Sequence, residues 1–180
     1  MRAKQLFPIA ISFVAILFCT SSCAQDAASA KAFLVNFYSH YSRGGKGIDF
    51  DGPHSALYFH SSLLALEKAD VKANGPDSAP AMDADPICSC QDWNGIWDLR
   101  IDVQIESQQR ALANVSFYLA PPKGPIAAEP MKLRFTLVPE HGWRIWDILD
   151  ESDPKDPVAL RKLLIDDIAS LRSNPAPASH

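Results

Sequence analysis

Basic residues are in the minority in this 180-residue sequence. It has 17 Lys and Arg against 21 Asp and Glu, which gives a formal net charge of −4. Binding to nucleic acid requires a basic face that displaces counterions from the phosphates, and an anionic membrane surface also attracts positive charge. The charge balance therefore excludes nucleic acid as a partner and disfavours direct attachment to a membrane surface.

Long apolar runs are also missing, apart from residues 8–18 near the N terminus. This run is too short to cross a bilayer, but it has the length of the central region of a signal peptide, and Arg2 and Lys4 precede it. Ser22 and Ala24 fit the small-residue rule for cleavage after Ala24. We therefore expect residues 1–24 to be a signal peptide, and the protein to be periplasmic or associated with the outer membrane, or else secreted.

Cys23 adds a second interpretation of the N terminus, because small residues before a cysteine also resemble a bacterial lipoprotein signal. That signal usually has an aliphatic residue three positions before the cysteine, where this sequence has Thr20. Simple secretion is therefore preferred over lipidation of Cys23. A lipid on Cys23 is the only attachment to a membrane that we consider. Removal of residues 1–24 takes away two basic residues and no acidic ones, so the mature chain carries a net charge of about −6.

Cysteine is scarce in the rest of the chain, where only Cys88 and Cys90 remain. In an oxidising compartment, two thiols this close are expected to form a disulfide with a tight ring. A redox role is disfavoured because thioredoxin-like chemistry expects two intervening residues and a helix N-terminus. A zinc site needs four ligands, and the histidines show no matching spacing. We therefore predict a structural disulfide and no metal or cofactor.

Recognised catalytic motifs are absent as well. The sequence has no Gly-x-Ser-x-Gly motif, and no histidine is clearly paired with a nucleophile. Asp98 and Asp102 are expected on the solvent face of a strand, where a useful pKa shift is not expected. Asp147 is the least implausible candidate for a general acid or base, but we expect it to face solvent or to pair with Arg134 or Arg144. We therefore expect no catalytic residue.

Apolar residues at helical spacing predict three helices. The first covers residues 27–42, with Asp26 as its N-cap and a glycine-rich stop at residues 43–47. The second covers residues 55–73 and ends before Gly75, and the third starts at Asp156 and Pro157. Their apolar positions are Phe33, Leu34, Phe37, Tyr38 and Tyr41; Leu57, Leu63, Leu64, Leu66 and Val71; and Leu160, Leu163, Leu164, Ile168 and Leu171.

Alternation with a period of two predicts four antiparallel strands between residues 97 and 148. The first strand alternates apolar with polar residues from Trp97 to Ile105, and turns are expected at residues 108–109 and 139–142. Trp97 and Trp143 are expected in the core, and Trp146 is expected to be partly exposed. The prediction is one α+β domain over residues 26–172, with helices on one face of the sheet, and a disordered tail at residues 173–180.

Short segments of the chain resemble known families. Residues 141–148, HGWRIWDI, resemble the closing strand of the cone-shaped α+β superfamily that includes nuclear transport factor two, cystatin-like folds and ketosteroid isomerase. Residues 32–38, AFLVNFY, together with Asp85-Pro86, Gln91-Asp92 and the Gly142-Trp143 strand, resemble a bacterial envelope family, domain of unknown function 3828. The resemblance implies a cone-shaped, cystatin-like fold with a curved sheet and an envelope address, often as a lipoprotein. It supplies no reaction.

Residues 75–96 form a long irregular passage, and such passages are often functional. Its distinctive residues are Cys88, Cys90, Gln91, Asp92 and Trp93, which we take as the candidate contact loop. Asp92 is expected to act as a turn residue, while core and contact roles are weighed evenly for Trp93. The resulting hypothesis is a non-enzymatic binding domain for an envelope protein or a small apolar ligand. The alternatives are an enzyme with a pocket inside the cone and an exported inhibitor or immunity-type protein.

Overall fold

The chain folds into an α+β structure with an open antiparallel sheet, which confirms the predicted class. The computed structural model describes residues 26–75, 81–82, 85–88, 94–120 and 124–173. The predicted signal peptide, Cys23, residues 89–93 and most of the predicted tail lie outside these residues. The elements are α1 (Ala27–Ser39), α2 (Ser55–Tyr58), α3 (Ser61–Asn74), β1 (Ile96–Ser107), β2 (Arg110–Leu119), β3 (Met131–Pro139), β4 (Trp143–Asp150), β5 (Val158–Ala159) and α4 (Leu160–Ser173).

The sheet has five strands rather than the predicted four, and they are arranged in chain order from β1 to β5. All neighbouring pairs are antiparallel. The additional strand β5 has only two residues, which pair with Leu149 and Asp150 of β4. Two residues are too few to show a period, so the sequence pattern could not indicate this strand. Across the described residues, no helix has the length and apolar character needed to cross a membrane.

The core lies between α1 and the sheet and is filled with aromatic rings. Phe37 and Tyr38 of α1 are buried. The Tyr38 ring centroid lies 5.5 Å from that of Phe117 on β2 and 6.0 Å from that of Phe135 on β3. Burying each such side chain stabilises the fold by about 1.5–3 kcal/mol. These contacts hold α1 against the middle of the sheet.

The start of α1 is capped as predicted. The Ser29 N–H donates to Asp26 Oδ1 at 2.7 Å, and the Asp26 N–H donates to Ser29 Oγ at 3.1 Å, which forms a capping box. The helix ends at Ser39, earlier than the predicted residue 42. A turn follows it, in which the Gly45 N–H donates to the Ser42 carbonyl at 2.7 Å. A Cβ at Gly45 would lie only 2.2 Å from the His40 carbonyl oxygen, so glycine is required there.

The predicted second helix is interrupted, because the chain pairs with the sheet halfway along it. Phe59 is extended, forms a parallel bridge with Ile145 of β4 and separates α2 from α3. The His60 N–H donates to the Ile145 carbonyl at 2.9 Å. Phe59 is fully buried and its ring stacks on Phe50 with centroids 3.9 Å apart. Burial of this ring and the bridge therefore override the local helical pattern. The helix α3 ends at Asn74, and its C-cap Gly75 has a φ of 72°, in agreement with the predicted stop.

A bulge in β1 turns Trp97 away from the core, so the prediction of a buried Trp97 is wrong. Trp97 lies opposite Tyr118 and Arg100 lies opposite Ser116, so two residues of β1 face one residue of β2. Asp98, within the bulge, has a φ of 52°. The additional residue reverses the alternation. As a result Ile96 packs against the core, while Trp97 is 46% exposed on the outer face.

The hairpin of β3 and β4 and the last helix agree better with the sequence. Trp143 is buried, as expected, and its Nε1–H donates to Ser29 Oγ at 3.0 Å. The helix α4 begins at Leu160 instead of near Asp156, because Val158 and Ala159 before it pair with β4 as the strand β5. The buried positions of α4 all belong to the predicted apolar stripe and are Leu160, Leu164 and Ile168.

Candidate functional site

The candidate contact loop is fixed in the core at its N-terminal side. Ile87 and Cys88 are fully buried, and the Tyr38 hydroxyl donates to the Ile87 carbonyl at 3.4 Å. The Ile87 N–H in turn donates to Asp85 Oδ1 at 2.9 Å. The buried Cys88 thus belongs to the base of the loop and has no surface for a partner to contact.

The remaining loop residues of the hypothesis were Cys90, Gln91, Asp92 and Trp93. They lie outside the described residues, so their contact role stays a prediction, as does the disulfide between Cys88 and Cys90.

The C-terminal side of the loop is fixed equally well. The Asn94 N–H donates to the Ala120 carbonyl at 2.6 Å, and the Ile96 N–H donates to the Tyr41 carbonyl at 3.1 Å. Gly95 is buried with a φ of 126°, and a Cβ there would lie 2.9 Å from the backbone of Arg43. Residues 89–93 therefore connect two fixed points at the end of the domain where α1 terminates.

The bulge places an aromatic pair beside this loop on the outer face of the sheet. Trp97 and Tyr118 lie opposite each other across β1 and β2. Arg100 Nη2 lies 2.7 Å from Asp98 Oδ2, and this hydrogen bond raises the pKa of the guanidinium. Both charged side chains are more than half exposed, so the ion pair contributes little to stability. We refer to Trp97, Asp98, Arg100 and Tyr118 as the Trp97 patch.

An acidic pocket of about 400 Å³ lies at the base of the same loop. Its polar lining comes from five charged side chains, and Ile48, Phe50, Met82 and Pro86 complete it. The charged side chains are Lys46, Asp49, Asp51, Glu67 and Asp85. The segment after α1, the helix α3 and the N-terminal side of the loop therefore meet at one place.

Burial controls the protonation of this pocket. Burial raises the pKa of the Asp85 carboxyl, although hydrogen bonds from Ile87 and Tyr41 oppose the shift. Burial also raises the pKa of Glu67, and the nearby carboxylates of Asp51 and Asp70 raise it further. Among the described residues, no group of three or more His, Cys, Asp or Glu side chains could hold a metal ion.

Asp147 has a structural role that the sequence did not indicate. Its Oδ1 accepts hydrogen bonds from the Ile148 N–H at 2.9 Å and from the Arg161 N–H at 3.0 Å. Arg134 pairs instead with Glu151, and Arg144 donates to a backbone carbonyl. Of the two expected alternatives, pairing with Arg134 or Arg144 is therefore wrong, and the partly buried Asp147 carboxylate joins β4 to the first turn of α4.

Sequence reasoning also missed a polar cluster where α3 begins. It joins His60 and Ser62 to Glu140 in the β3–β4 turn and to Arg161 on α4. The members come from three separate parts of the chain. The two-residue spacing of His60 and Ser62 was the only local signal.

No protein-family model, curated protein or solved structure matches this chain.

Proposed function

We propose that this protein is an exported, non-enzymatic binding domain of the bacterial cell envelope. Its contact surface is formed by loop residues 89–93 and the Trp97 patch, and its partner is another envelope protein. The observation that supports this proposal best is the position of Trp97, a large aromatic side chain that the bulge turns outward. We also propose that the chain has the cone-shaped fold of the superfamily, and belongs to the envelope family, that its short segments resemble.

The backbone at Asp98 supports a functional role for this surface. A non-glycine residue with a φ of 52° is uncommon, and strained positions tend to occur at functional sites. Bulges commonly redirect a side chain. Without the bulge, continued alternation would place Trp97 on the core face. The bulge therefore places the Trp97 indole on the outer face, although this requires a strained backbone at Asp98 and leaves the indole out of the core.

The choice of a protein partner over a small apolar ligand follows from the filled core. The Phe37 ring centroid lies 5.2 Å from that of Tyr58 and 5.9 Å from that of Phe59, and Tyr38 fills the space toward the sheet. A ligand between α1 and the sheet would have to displace these rings. An exposed tryptophan beside an anchored loop is typical of a protein interface, because aromatic residues dominate the binding energy there.

The test is affinity capture and crosslinking from intact envelopes, followed by measurement of binding to the purified partner. Trp97→Ala and Trp93→Ala are compared with the native chain. Leu57→Ala is the matched control, because Leu57 is 56% exposed but lies on α2. Loss of a hot-spot residue costs about 2 kcal/mol or more, so we expect Trp97→Ala to weaken binding about 30-fold or more. Equal affinity of the native chain and both tryptophan variants would contradict the proposed surface.

A further inference from the structure

The strand β1 forms one edge of the sheet. In the sheet order its neighbour is β2, so the other side of its backbone, which we call the free side, points away from the sheet. The Ile96 N–H donates to the Tyr41 carbonyl at 3.1 Å. Beyond Ile96, no described residue forms a backbone hydrogen bond with the free side. These backbone groups are therefore available to pair with another strand.

The two edges of the sheet differ in their protection. The strand β5 at the opposite edge has only two residues, and such short strands offer little to an added strand. The strand β1 has 12 residues and contains no proline. Its core-facing side chains Leu99, Val103 and Ile105 are only partly buried. A long edge with partly exposed apolar side chains is a template for strand addition.

The outer face of β1 carries polar side chains in a defined order. They are a cation, an anion, an amide and an anion, all exposed: Arg100, Asp102, Gln104 and Glu106. The register of β1 shifts near Glu106, but this side chain still lies on the outer face. Its Oε2 is 2.9 Å from Nε of Arg110, which precedes the inward-facing Ala111.

A second copy of the strand, running antiparallel, complements this order. When a two-fold axis passes through Val103, Arg100 faces Glu106 of the second copy and Asp102 faces Gln104 of the second copy. On the core face, Ile101 faces Ile105 and Val103 faces its own copy. The symmetry makes each unlike pair occur twice. Opposite charges and apolar pairs directly across two strands stabilise their pairing.

Neighbouring registers fit less well. An axis at Asp102 places this carboxylate opposite its own copy, and an axis at Gln104 places Asp102 opposite Glu106, so like charges face each other. An axis at Ile101 pairs Arg100 with Asp102, but it brings the bulge before Arg100 into the paired segment. A shift by one residue would set the apolar face of one copy against the polar face of the other.

The ion pairs within each chain are compatible with this arrangement. Arg100 Nη2 lies 2.7 Å from Asp98 Oδ2, and Glu106 pairs with Arg110. A guanidinium has five N–H donors, so Arg100 can keep Asp98 and still bind a second carboxylate. All four side chains are more than a third exposed. The ion pairs therefore select the register, while the backbone hydrogen bonds and apolar contacts supply most of the affinity.

We infer that two copies of this chain associate through the free side of β1, antiparallel around a two-fold axis at Val103, so that their sheets join into one continuous sheet. Pairing over residues 100–106 adds about six to eight backbone hydrogen bonds. It also covers the exposed parts of Val103 and Ile105. The paired segment shares only Arg100 with the Trp97 patch, and the dimer carries two copies of that patch.

The test is sedimentation velocity of the purified native chain over a range of concentrations, with circular dichroism to confirm folding. We expect a dimer whose fraction rises with concentration. Arg100→Glu and Glu106→Arg each place like charges opposite each other in two symmetry-related pairs, and each should weaken the dimer about 10-fold or more. The double variant restores opposite charges, so its dissociation constant should return to within about 3-fold of the native value.

The matched control is Lys162→Glu. Lys162 is 74% exposed, as Arg100 is, and it also pairs with a carboxylate of its own chain, that of Asp166. The substitution makes the same change of net charge, but Lys162 lies on α4. We therefore expect the affinity of the dimer to be unchanged.

Disulfide crosslinking locates the axis. Val103→Cys should oxidise to a covalent dimer, because side chains directly opposite in an antiparallel pair come close enough to bridge. Gln108→Cys, in the β1–β2 turn, should not, and both variants keep Cys88 and Cys90 as the same background. The inference is overturned if the native chain stays monomeric at every concentration, or if the double variant stays as dissociated as the single ones. It is also overturned if Lys162→Glu weakens the dimer as Arg100→Glu does, or if folded Val103→Cys crosslinks no faster than Gln108→Cys.

Discussion

Asp70 of α3 and Asp167 of α4 are linked through Asn74, whose Nδ2 donates to the Asp70 carbonyl at 3.1 Å and to Asp167 Oδ2 at 2.9 Å. Asp70 is 1% exposed, its Oδ2 accepts from the Ala81 N–H at 3.1 Å, and its Oδ1 has no hydrogen-bond partner among the described residues. The proximity of Asp167 adds to the effect of burial in raising the pKa of the Asp70 carboxyl. Two ionised carboxylates repel each other, so the contact between these helices is more favourable when Asp70 is protonated.

We predict that this pair makes the fold less stable as the pH rises. Burial, followed by the proximity of Asp167, raises the pKa of Asp70. A group with a raised folded pKa contributes stability below its unfolded pKa, near 3.8, and that contribution is lost as the pH rises through the folded pKa.

The measurement is urea unfolding of the native chain and of Asp70→Asn at a series of pH values from 3.5 to 8. The amide is uncharged at every pH, so the variant should gain stability relative to the native chain as the pH rises through the folded pKa of Asp70. An ionised, unpaired buried group costs about 1–3 kcal/mol, which sets the size of the effect. An identical change of unfolding free energy in both proteins would contradict the assignment.

The second prediction concerns the backbone at Asp98. Its φ of 52° lies in the left-handed region, which costs a β-branched residue about 1–2 kcal/mol and glycine almost nothing. Asp98→Gly should therefore keep the native stability, and Asp98→Val should lower the unfolding free energy by that amount. The fluorescence of the exposed Trp97, read in a chain whose other three tryptophans are replaced by Phe, should be the same in native and Asp98→Gly backgrounds. A blue shift in Asp98→Gly would show that the bulge does not persist without the aspartate.

The third prediction concerns the carboxylate that joins β4 to α4. Asp147→Ala removes the acceptor of the Arg161 and Ile148 N–H groups, so thermal unfolding should show a loss of about 1–2 kcal/mol. The exposed Asp102→Ala on β1 should change stability by less than about 0.5 kcal/mol. Equal effects of the two substitutions would exclude a capping role for Asp147.

The fourth prediction is that the signal peptide is removed after Ala24. Intact-mass measurement of the envelope-purified chain should give residues 25–180 without a lipid. A mass that starts at Cys23 and includes acyl chains would establish the lipoprotein alternative, and Cys23→Ala would then release the protein from the membrane fraction. A full-length chain in the cytosolic fraction would contradict export altogether.

The sequence predicted the elements whose pattern is local. The alternation of β2, β3 and β4, the cap at Asp26 and the stop at Gly75 each depend on a few neighbouring residues and a single backbone rule. The bulge at Asp98 could not be predicted, because one additional residue changes no composition and only the pairing with β2 reveals it. The interruption at Phe59 likewise depends on a distant partner, Ile145.

The candidate site was only partly accessible to sequence reasoning. The described residues between Asn74 and Ile96 belong to no helix or strand, as predicted. The burial of Cys88 could not be inferred, because a surface loop and a core anchor can have the same composition. The cluster around Ser62 was missed because Glu140 and Arg161 lie far along the chain. Their meeting depends on the packing of α3 against α4 and against the β3–β4 turn.

The capping box at Asp26 also limits the distance between the domain and a membrane to which Cys23 would be anchored. If Cys23 carries a lipid, only Ala24 and Gln25 separate it from the first fixed residue, Asp26, and these three steps of the chain span at most about 10 Å. The contact loop is anchored at the opposite end of α1, where Gly95 packs on Arg43, and a helix of 13 residues spans about 20 Å. In a lipidated form the proposed contact surface would therefore lie about 20 Å along α1 from the lipid-anchored end of the domain.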